Sequence, residues 1–340
     1  MDLDLKGRVV LVTGATGLVG SAVAARLVEA GGRVRALVRS PSRAASLARQ
    51  AVELVQGDLT DPSSVGRAME GCGVVFHFAA VMATEFGPWS HYRRVNVEGT
   101  RLLAEAAVAA GVDRFLHAST VSVYGLAAGP GTDERSQHRV SRDRYADTKL
   151  EAELVVRRLH AERGLPLVIV QPSEVYGPGD QAWTLTPLRL IQARRMFLPD
   201  GGRGLIQPVF VDDLAEGILA AARRGRNGED YILCGARVVE LREFFSHHLR
   251  LADGTRLRSV PGPLSLALAT LAEWGATVSG IRPPFTRAAV RATLKRASFK
   301  GDKAERALGW VPKTSLEEGM VRVERWLRSH PEALLPIPAP

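Results

Sequence analysis

Tyr145 and Lys149 stand four residues apart in the run Tyr145-Ala146-Asp147-Thr148-Lys149, so on a helix the phenol and the ammonium share one face. A free phenol ionises near about pH 10, and a neighbouring cation favours its phenolate, which makes Tyr145 a proton carrier and Lys149 its tuning partner. Ahead of the pair, the hydroxyls of Ser119, Thr120 and Ser122 lie in Ala118-Ser119-Thr120-Val121-Ser122-Val123-Tyr124-Gly125. They can hydrogen-bond the oxygen that Tyr145 serves and polarise its bond to carbon. A segment of another kind comes much earlier, Thr13-Gly14-Ala15-Thr16-Gly17-Leu18-Val19-Gly20. Gly14 permits a tight turn, Gly17 lets the backbone approach a pyrophosphate, and Gly20 lets the following helix pack on the preceding strand. Phosphates would sit at that helix N-terminus, where unpaired N–H groups and the dipole favour negative charge. A proton carrier, a polarising hydroxyl and a dinucleotide cradle together describe hydride transfer at a carbon that bears oxygen.

Such groups need a rigid scaffold. Short β-branched runs at 8–12, 33–38, 52–56, 74–78, 114–118 and 167–171 alternate with helical stretches at 18–30, 62–69, 97–110 and 145–163. Gly31, Gly71, Gly111 and Gly164 follow four of the helical stretches and read as stops. This alternation predicts an α/β fold, a Rossmann-type doubly wound parallel sheet, with ligands at the carboxyl ends of its strands. Beyond residue 172 the texture changes, with prolines at 172, 178, 187, 199 and 208 and a less regular pattern. Strand and helix return over 209–222, and 230–233 reads as one more strand. The expected division is therefore a dinucleotide-binding domain of 1–176 plus about 205–235, and a smaller, mostly helical C-terminal substrate lobe of about 177–204 plus 236–335.

The second strand ends in Val38-Arg39-Ser40. A site that reads the free 2′-hydroxyl of NAD wants a carboxylate at that tip, whereas Arg39 can fork onto the 2′-phosphate of NADP, with Ser40 or Arg43 beside it. NADP(H) is therefore favoured over NAD(H). Asp58, after the third strand, can accept from the adenine amino group, although Asp58 to Asp61 also reads as an ordinary turn into a helix. Ala79 and Ala80 end the fourth strand and leave room for a ribose. His77, inside the apolar run before them, reads as a packed strand histidine.

Composition excludes several other classes. Two cysteines, Cys72 and Cys234, supply neither a disulfide framework nor a metal knuckle. The N-terminus opens with acids where an export signal carries bases, so a cytoplasmic location is expected. No apolar run reaches the roughly 18 residues of a membrane span. The net charge of +9 comes from scattered arginines without interleaved aromatics, which reads as solvated helix faces and not as a specific nucleic-acid surface.

At these residues the sequence resembles the extended short-chain dehydrogenase/reductases of the NAD-dependent epimerase/dehydratase superfamily. The resemblance rests on Thr13 to Gly20, Asp58-Leu59, Ala79-Ala80, Val95-Asn96-Val97-Glu98-Gly99-Thr100, Ser119 to Gly125, Tyr145 with Lys149, Pro172-Ser173-Glu174-Val175-Tyr176-Gly177-Pro178-Gly179-Asp180, Val211-Asp212-Asp213 and Lys303 to Trp310. It implies that Thr120 is the catalytic hydroxyl with Ser119 beside it, that Tyr145 is the acid/base and that Lys149 is its partner. Asn96 would order the active-site side or a proton-relay water, or merely start a helix. Gly14, Thr16, Gly17, Leu18, Val19, Gly20, Arg39, Asp58, Leu59, Ala79, Ala80, Tyr145, Lys149, Pro172, Ser173 and Val175 would hold the cofactor, the last three bordering the nicotinamide. Asp212 and Asp213 would fix the junction of the lobes by capping the next helix. Gln171 departs from the family, which usually has Arg there. Homodimers are common in the family, and helices 97–110 and 149–163 could pair between subunits.

The nucleotide-sugar branches usually carry an Arg-Pro-Gly-Asp-like segment before the last motif, and here that place reads Arg296-Ala-Ser-Phe-Lys-Gly-Asp302. Their dehydratases also tend to follow the catalytic Thr with Asp-Glu, whereas Thr120 is followed by Val121-Ser122. An apolar stretch, 264–278, flanked by Pro261, Pro263, Pro283 and Pro284, resembles instead the 3β-hydroxysteroid dehydrogenase and dihydroflavonol reductase branch. The resemblance implies interconversion of a secondary alcohol and a ketone on a hydrophobic small molecule. Two other readings stay open: a nucleotide-sugar epimerase or dehydratase with retained NAD, and a non-catalytic nucleotide sensor. The apolar stretch could line the pocket, pack the lobe, form a dimer face or touch a membrane.

Overall fold

The computed structural model describes residues 3–82, 85, 87–125, 128–252, 257–279 and 286–334. Pro283, Pro284 and Phe285 of the C-terminal motif lie outside them. Strands too greasy for one-sided burial must be covered on both faces, and parallel strands joined by helices achieve this. Seven strands do so here: β1 (Val9–Thr13), β2 (Arg33–Val38), β3 (Glu53–Gln56), β4 (Val74–His77), β5 (Arg114–Ala118), β6 (Leu167–Pro172) and β7 (Asp230–Leu233). Their order across the sheet is β7-β6-β5-β4-β1-β2-β3, and every neighbouring pair is parallel. The chain turns one way after β1 and the other way after β4, so a crevice opens above the carboxyl ends of these two adjacent strands.

Alternate residues of each strand feed two separate cores. On one face Val10, Val12, Phe76 and Val168 meet Val23 and Leu27 of α1 (Leu18–Glu29) and, from a helix late in the chain (Val211–Arg224), Leu214 and Ile218. On the other, Leu11, Val75, Phe115 and Ile169 meet Val65 of α2 (Pro62–Met69), Leu103 and Ala107 of α3 (Thr100–Ala110) and Val156 of α4 (Arg144–Arg163). Gly111 and Gly164 end α3 and α4 in the left-handed conformation, which glycine adopts without steric cost. The expected helix over 97–110 is α-helical as α3 from Thr100 onward, and its first residues belong to a π-helix, Arg93–Gly99, that runs into α3. Such wide turns insert a residue into the helical ladder and are common beside functional sites.

After β6 the chain makes short pairings that carry no sequence period: Val175–Tyr176 with Val209–Phe210, Leu205–Ile206 with Val239–Glu240, and Phe197–Pro199 with Arg258–Val260. The helix Val211–Arg224, here α5, follows at once. Asp212 and Asp213 lie in its first turn but do not cap it, since its N-cap is Phe210. The junction is fixed another way. Asp213 accepts from the Lys313 and Thr314 N–H groups at 2.9 and 2.7 Å, and Asp212 faces Arg322 at 3.5 Å. The Asp213 backbone carbonyl also takes the Trp310 indole N–H at 2.9 Å, which locks the last sequence motif onto α5.

The C-terminal helices are α6 (Leu241–Leu251), α7 (Gly262–Ser279), α8 (Arg287–Leu294) and α9 (Leu316–Ser329), with the short Asp302–Leu308 before the last. The apolar stretch forms α7 with an inverted pattern: the small residues Ser265, Ala269 and Ala276 face the protein, while Leu264, Leu268 and Leu271 are 51, 40 and 64% exposed. These three leucines therefore add little to folding stability. Leu271→Glu is expected to change the free energy of unfolding by no more than about 0.5 kcal/mol, measurable by chemical denaturation. No helix among the described residues is long and apolar enough to cross a membrane.

Candidate active site

The glycine run leaves β1 and turns into α1. Gly14 has φ +70°, and a Cβ there would stand 2.6 Å from the Ala79 nitrogen at the end of β4. A Cβ on Gly20 would stand 2.2 Å from the Gly14 carbonyl oxygen, so the third glycine lets α1 pack on the turn itself and not on β1, as the motif alone suggested. Thr16 and Gly17 are exposed at the tip, and Leu18 and Val19 open α1 half-buried. The helix has neither a side-chain cap nor an acid in its first turn, so its first N–H groups and its dipole face outward. This cradle fits the pyrophosphate of a dinucleotide.

Thr13, the last residue of β1, starts a hydrogen-bond chain that knits the crevice floor. Ala79 N–H donates to Thr13 Oγ1 at 3.3 Å, and Thr13 Oγ1 and His77 Nδ1 are 2.7 Å apart. His77 Nε2 and Thr100 Oγ1 are 2.8 Å apart, and Thr100 donates to the Asn96 carbonyl at 2.6 Å. Read in sequence, these bonds assign the proton of His77 to Nε2. Burial, with the Lys149 charge adding to it, pushes His77 down to about 3. It is a neutral packed histidine. The π-helix aims the Asn96 carboxamide at its neighbours: Oδ1 accepts from Val81 N–H at 2.7 Å, and Nδ2 donates to Val81 O at 3.2 Å and to Thr148 Oγ1 at 3.0 Å. Asn96 thus clamps the exit of β4 to α4.

Asp143 caps α4 by accepting from Ala146 N–H at 2.8 Å, and Tyr145 and Lys149 follow on one helix face. Thr120 caps the next turn, Val121–Tyr124, by accepting from Ser122 N–H at 3.2 Å. Its side chain lies beside the Tyr145 phenol, close enough to favour the ionised form of the phenol. Lys149 Nζ donates to the Ala118 carbonyl at 2.6 Å, which pins α4 to the end of β5. Burial pushes the Tyr145 phenol up to about 12, partly opposed by the neighbouring Thr120 side chain, and pushes the Lys149 ammonium down to about 8 against the pull of Glu153. The structure brings Thr120, Tyr145 and Lys149 together at the carboxyl end of β5, two strands from the glycine turn. A protonated phenol beside a hydroxyl can hold a carbonyl oxygen and deliver a proton to it.

The chain matches the NAD dependent epimerase/dehydratase family over residues 10–234. It belongs to that family. A ketoreductase of Stigmatella aurantiaca, named for 4-hydroxy-2-methyl-3-oxo-4-farnesyl-3,4-dihydroquinoline-1-oxide, is 32% identical over 91% of this chain and 93% of its own length. A 3-beta-hydroxysteroid dehydrogenase of Mycolicibacterium neoaurum is 29% identical over 92% of this chain and 89% of its own. Among solved structures, the dTDP-glucose 4,6-dehydratase DesIV of Streptomyces venezuelae, with NAD and DAU bound, superposes with a TM-score of 0.76 at 27% identity, covering 95% of this chain and 98% of that one.

Arg39 is exposed just beyond β2, after the buried Val38. Asp58 accepts from the N–H and the hydroxyl of Thr60 at 2.8 and 2.7 Å, both on Oδ1, while Asp61 alone caps α2. Burial works against the Asp58 charge, but the Thr60 bonds and the nearby Arg39 and Arg94 outweigh it and hold the carboxyl below its ordinary range. Leu59 is buried, and Ala79 and Ala80 are half-buried at the crevice. Pro172 ends β6 and Val175 begins the short strand Val175–Tyr176. The Ser173 hydroxyl is engaged with the Gln207 carbonyl at 2.5 Å, so it ties the turn after β6 to the segment before Val209–Phe210 instead of pointing freely at a ligand. Glu153 and Arg157 carry no motif of their own in the sequence, yet they continue the four-residue spacing of Tyr145 and Lys149 along α4. That spacing was the available signal.

Proposed function

We propose that the protein is an NADP(H)-dependent oxidoreductase that interconverts a secondary alcohol and a ketone on a hydrophobic small molecule. The observation that carries this reading is the grouping of Thr120 with a buried, protonated Tyr145 phenol and Lys149 at the end of β5, beside a cradle fitted to a dinucleotide. The dinucleotide, when bound, supplies the hydride in reduction and accepts it in oxidation. Tyr145 gives its proton to the oxygen as the carbonyl π electrons move onto it, and takes that proton back in the reverse direction. Thr120 holds the same oxygen, so the reacting carbon is presented at fixed distance and angle. Lys149, charged below about 8, stabilises the phenolate left behind and would hold the nicotinamide ribose. Asn96 orders the active-site side through Val81 and Thr148.

The lobe after β6 would receive the substrate, and the Rossmann half would hold the cofactor. A hydrophobic substrate is supported by two relatives whose names carry a farnesylated quinoline and a steroid. NADP over NAD is supported by Arg39 at the tip of β2, where a carboxylate would serve the free ribose hydroxyl. Arg39→Asp is expected to weaken NADPH binding about 10- to 100-fold, the range for loss of a charge-assisted hydrogen bond, and to spare NADH. Fluorescence titration of both cofactors checks it. The function itself is tested by initial rates with steroid, flavonoid and aliphatic ketones, with NADPH and NADH in parallel. Turnover of at least one such ketone with consumption of NADPH is the expected result.

A further inference from the structure

Below the phenol and the ammonium, α4 carries Tyr145, Lys149, Glu153 and Arg157 at four-residue intervals along one face. Glu153 is fully buried, and a carboxylate taken out of water persists only if its oxygens are matched. Arg157 donates to Oε1 through Nε at 3.1 Å and Nη2 at 2.8 Å, Gln171 donates to Oε2 at 3.2 Å, and His138 Nδ1 lies 3.6 Å from Oε1. Arg157 continues to Asp230 on β7 at 3.3 Å, and Lys303 lies 3.9 Å from the other oxygen of Asp230. From Lys149 to Lys303 the charges therefore alternate in sign. Gln171 adds a second connection. Its Oε1 accepts from the Tyr124 hydroxyl at 2.6 Å, and Tyr124 closes the turn that Thr120 begins.

We propose that Glu153, held by Arg157 and Gln171, is a positioning residue for the reaction, keeping Lys149 an ammonium and binding the Tyr145 helix to the Thr120 turn. The inference rests on the proposed function, in which Lys149 works charged. Among the described residues Glu153, one turn along the same face of α4, is the charge that favours the Lys149 ammonium: the ammonium's hydrogen-bond acceptor is the neutral Ala118 carbonyl, and His77 and His117, facing it from β4 and β5, are neutral through burial. Tyr145, one turn away on α4, is a protonated phenol. The Gln171 departure also gains a reason. With Arg157 supplying the cation, position 171 can both donate to Glu153 and accept from Tyr124, whereas a guanidinium has no acceptor.

The test compares Glu153→Gln, Glu153→Asp and the double variant Glu153→Gln/Arg157→Gln, which leaves no unpaired buried ion if the single variant does not fold. Two quantities are followed against pH: kcat/KM for ketone reduction and NADPH affinity by fluorescence. Without the carboxylate, Lys149 loses its proton at lower pH. At about pH 8.5 both quantities are expected to fall about tenfold in Glu153→Gln relative to wild type, because on the alkaline limb the ammonium fraction changes about tenfold for each pH by which the ionisation moves. Near about pH 6.5 they stay within about threefold, the double variant moves less in the same direction, and Glu153→Asp keeps the wild-type alkaline limb. A loss equal at every pH, or an unmoved alkaline limb, overturns the proposal. If wild type reduces no ketone, the proposed function fails, and the pH dependence of NADPH affinity still decides the role of Glu153.

Discussion

Tyr145→Phe is expected to lower kcat for ketone reduction by about 10³-fold, within the range that a positioned general acid contributes, and to leave NADPH affinity within about threefold. The ring and its packing are conserved by the change, and only the phenol hydroxyl beside Thr120 is lost. Because burial pushes the phenol up to about 12, Tyr145 stays protonated through the neutral range. The rate of reduction should therefore be flat at low pH and fall above about 8, where Lys149 loses its charge. Steady-state kinetics from acidic to alkaline pH measure both effects. A kcat within a few-fold of wild type would remove Tyr145 from the chemistry.

The second large effect is at the cradle. Gly14→Val is expected to abolish cofactor binding at concentrations about 100-fold above the wild-type Kd, because a branched side chain at φ +70° meets the Ala79 nitrogen at 2.6 Å. The strain in the backbone alone costs about 1–3 kcal/mol, and separating β1 from the end of β4 breaks the Thr13 to Ala79 bond as well. Fluorescence titration with NADPH reads the affinity and thermal denaturation reads the fold. An affinity within about threefold of wild type contradicts this placement of the dinucleotide.

Much of the sheet was legible because its strands are short apolar runs between helices with glycine stops. The strands expected at 33–38, 114–118 and 230–233 are those found, and the others shift by a residue or two at an end. The π-helix at Arg93–Gly99 was not legible, since one inserted residue leaves the apolar spacing intact and shows only in the hydrogen bonds. The two- and three-residue pairings after β6 were hidden for a related reason: a strand of that length has no period. Asp212 and Asp213 carried the signal of a cap, and tertiary contacts with Lys313, Thr314 and Arg322 decided otherwise. At the site, Thr120, Tyr145 and Lys149 could be named from spacing and resemblance. Glu153 and Arg157 offered only their four-residue spacing and Gln171 only its departure from the family, because the bond from Gln171 to Glu153 spans 18 residues of chain and shows only in space. The apolar stretch at α7 was visible, but only the structure reveals that Leu264, Leu268 and Leu271 face outward.

The most direct measurement follows the hydride itself. NADPH carrying deuterium at the nicotinamide carbon C4 is incubated with the protein and a ketone from the steroid, flavonoid and aliphatic set, and the products are read by mass spectrometry and NMR. Deuterium on the carbinol carbon of the alcohol, with one NADPH consumed per ketone reduced, is the predicted result. Product formed from a nucleotide sugar with no net consumption of nicotinamide, and no label transferred to any ketone of the set, would contradict it.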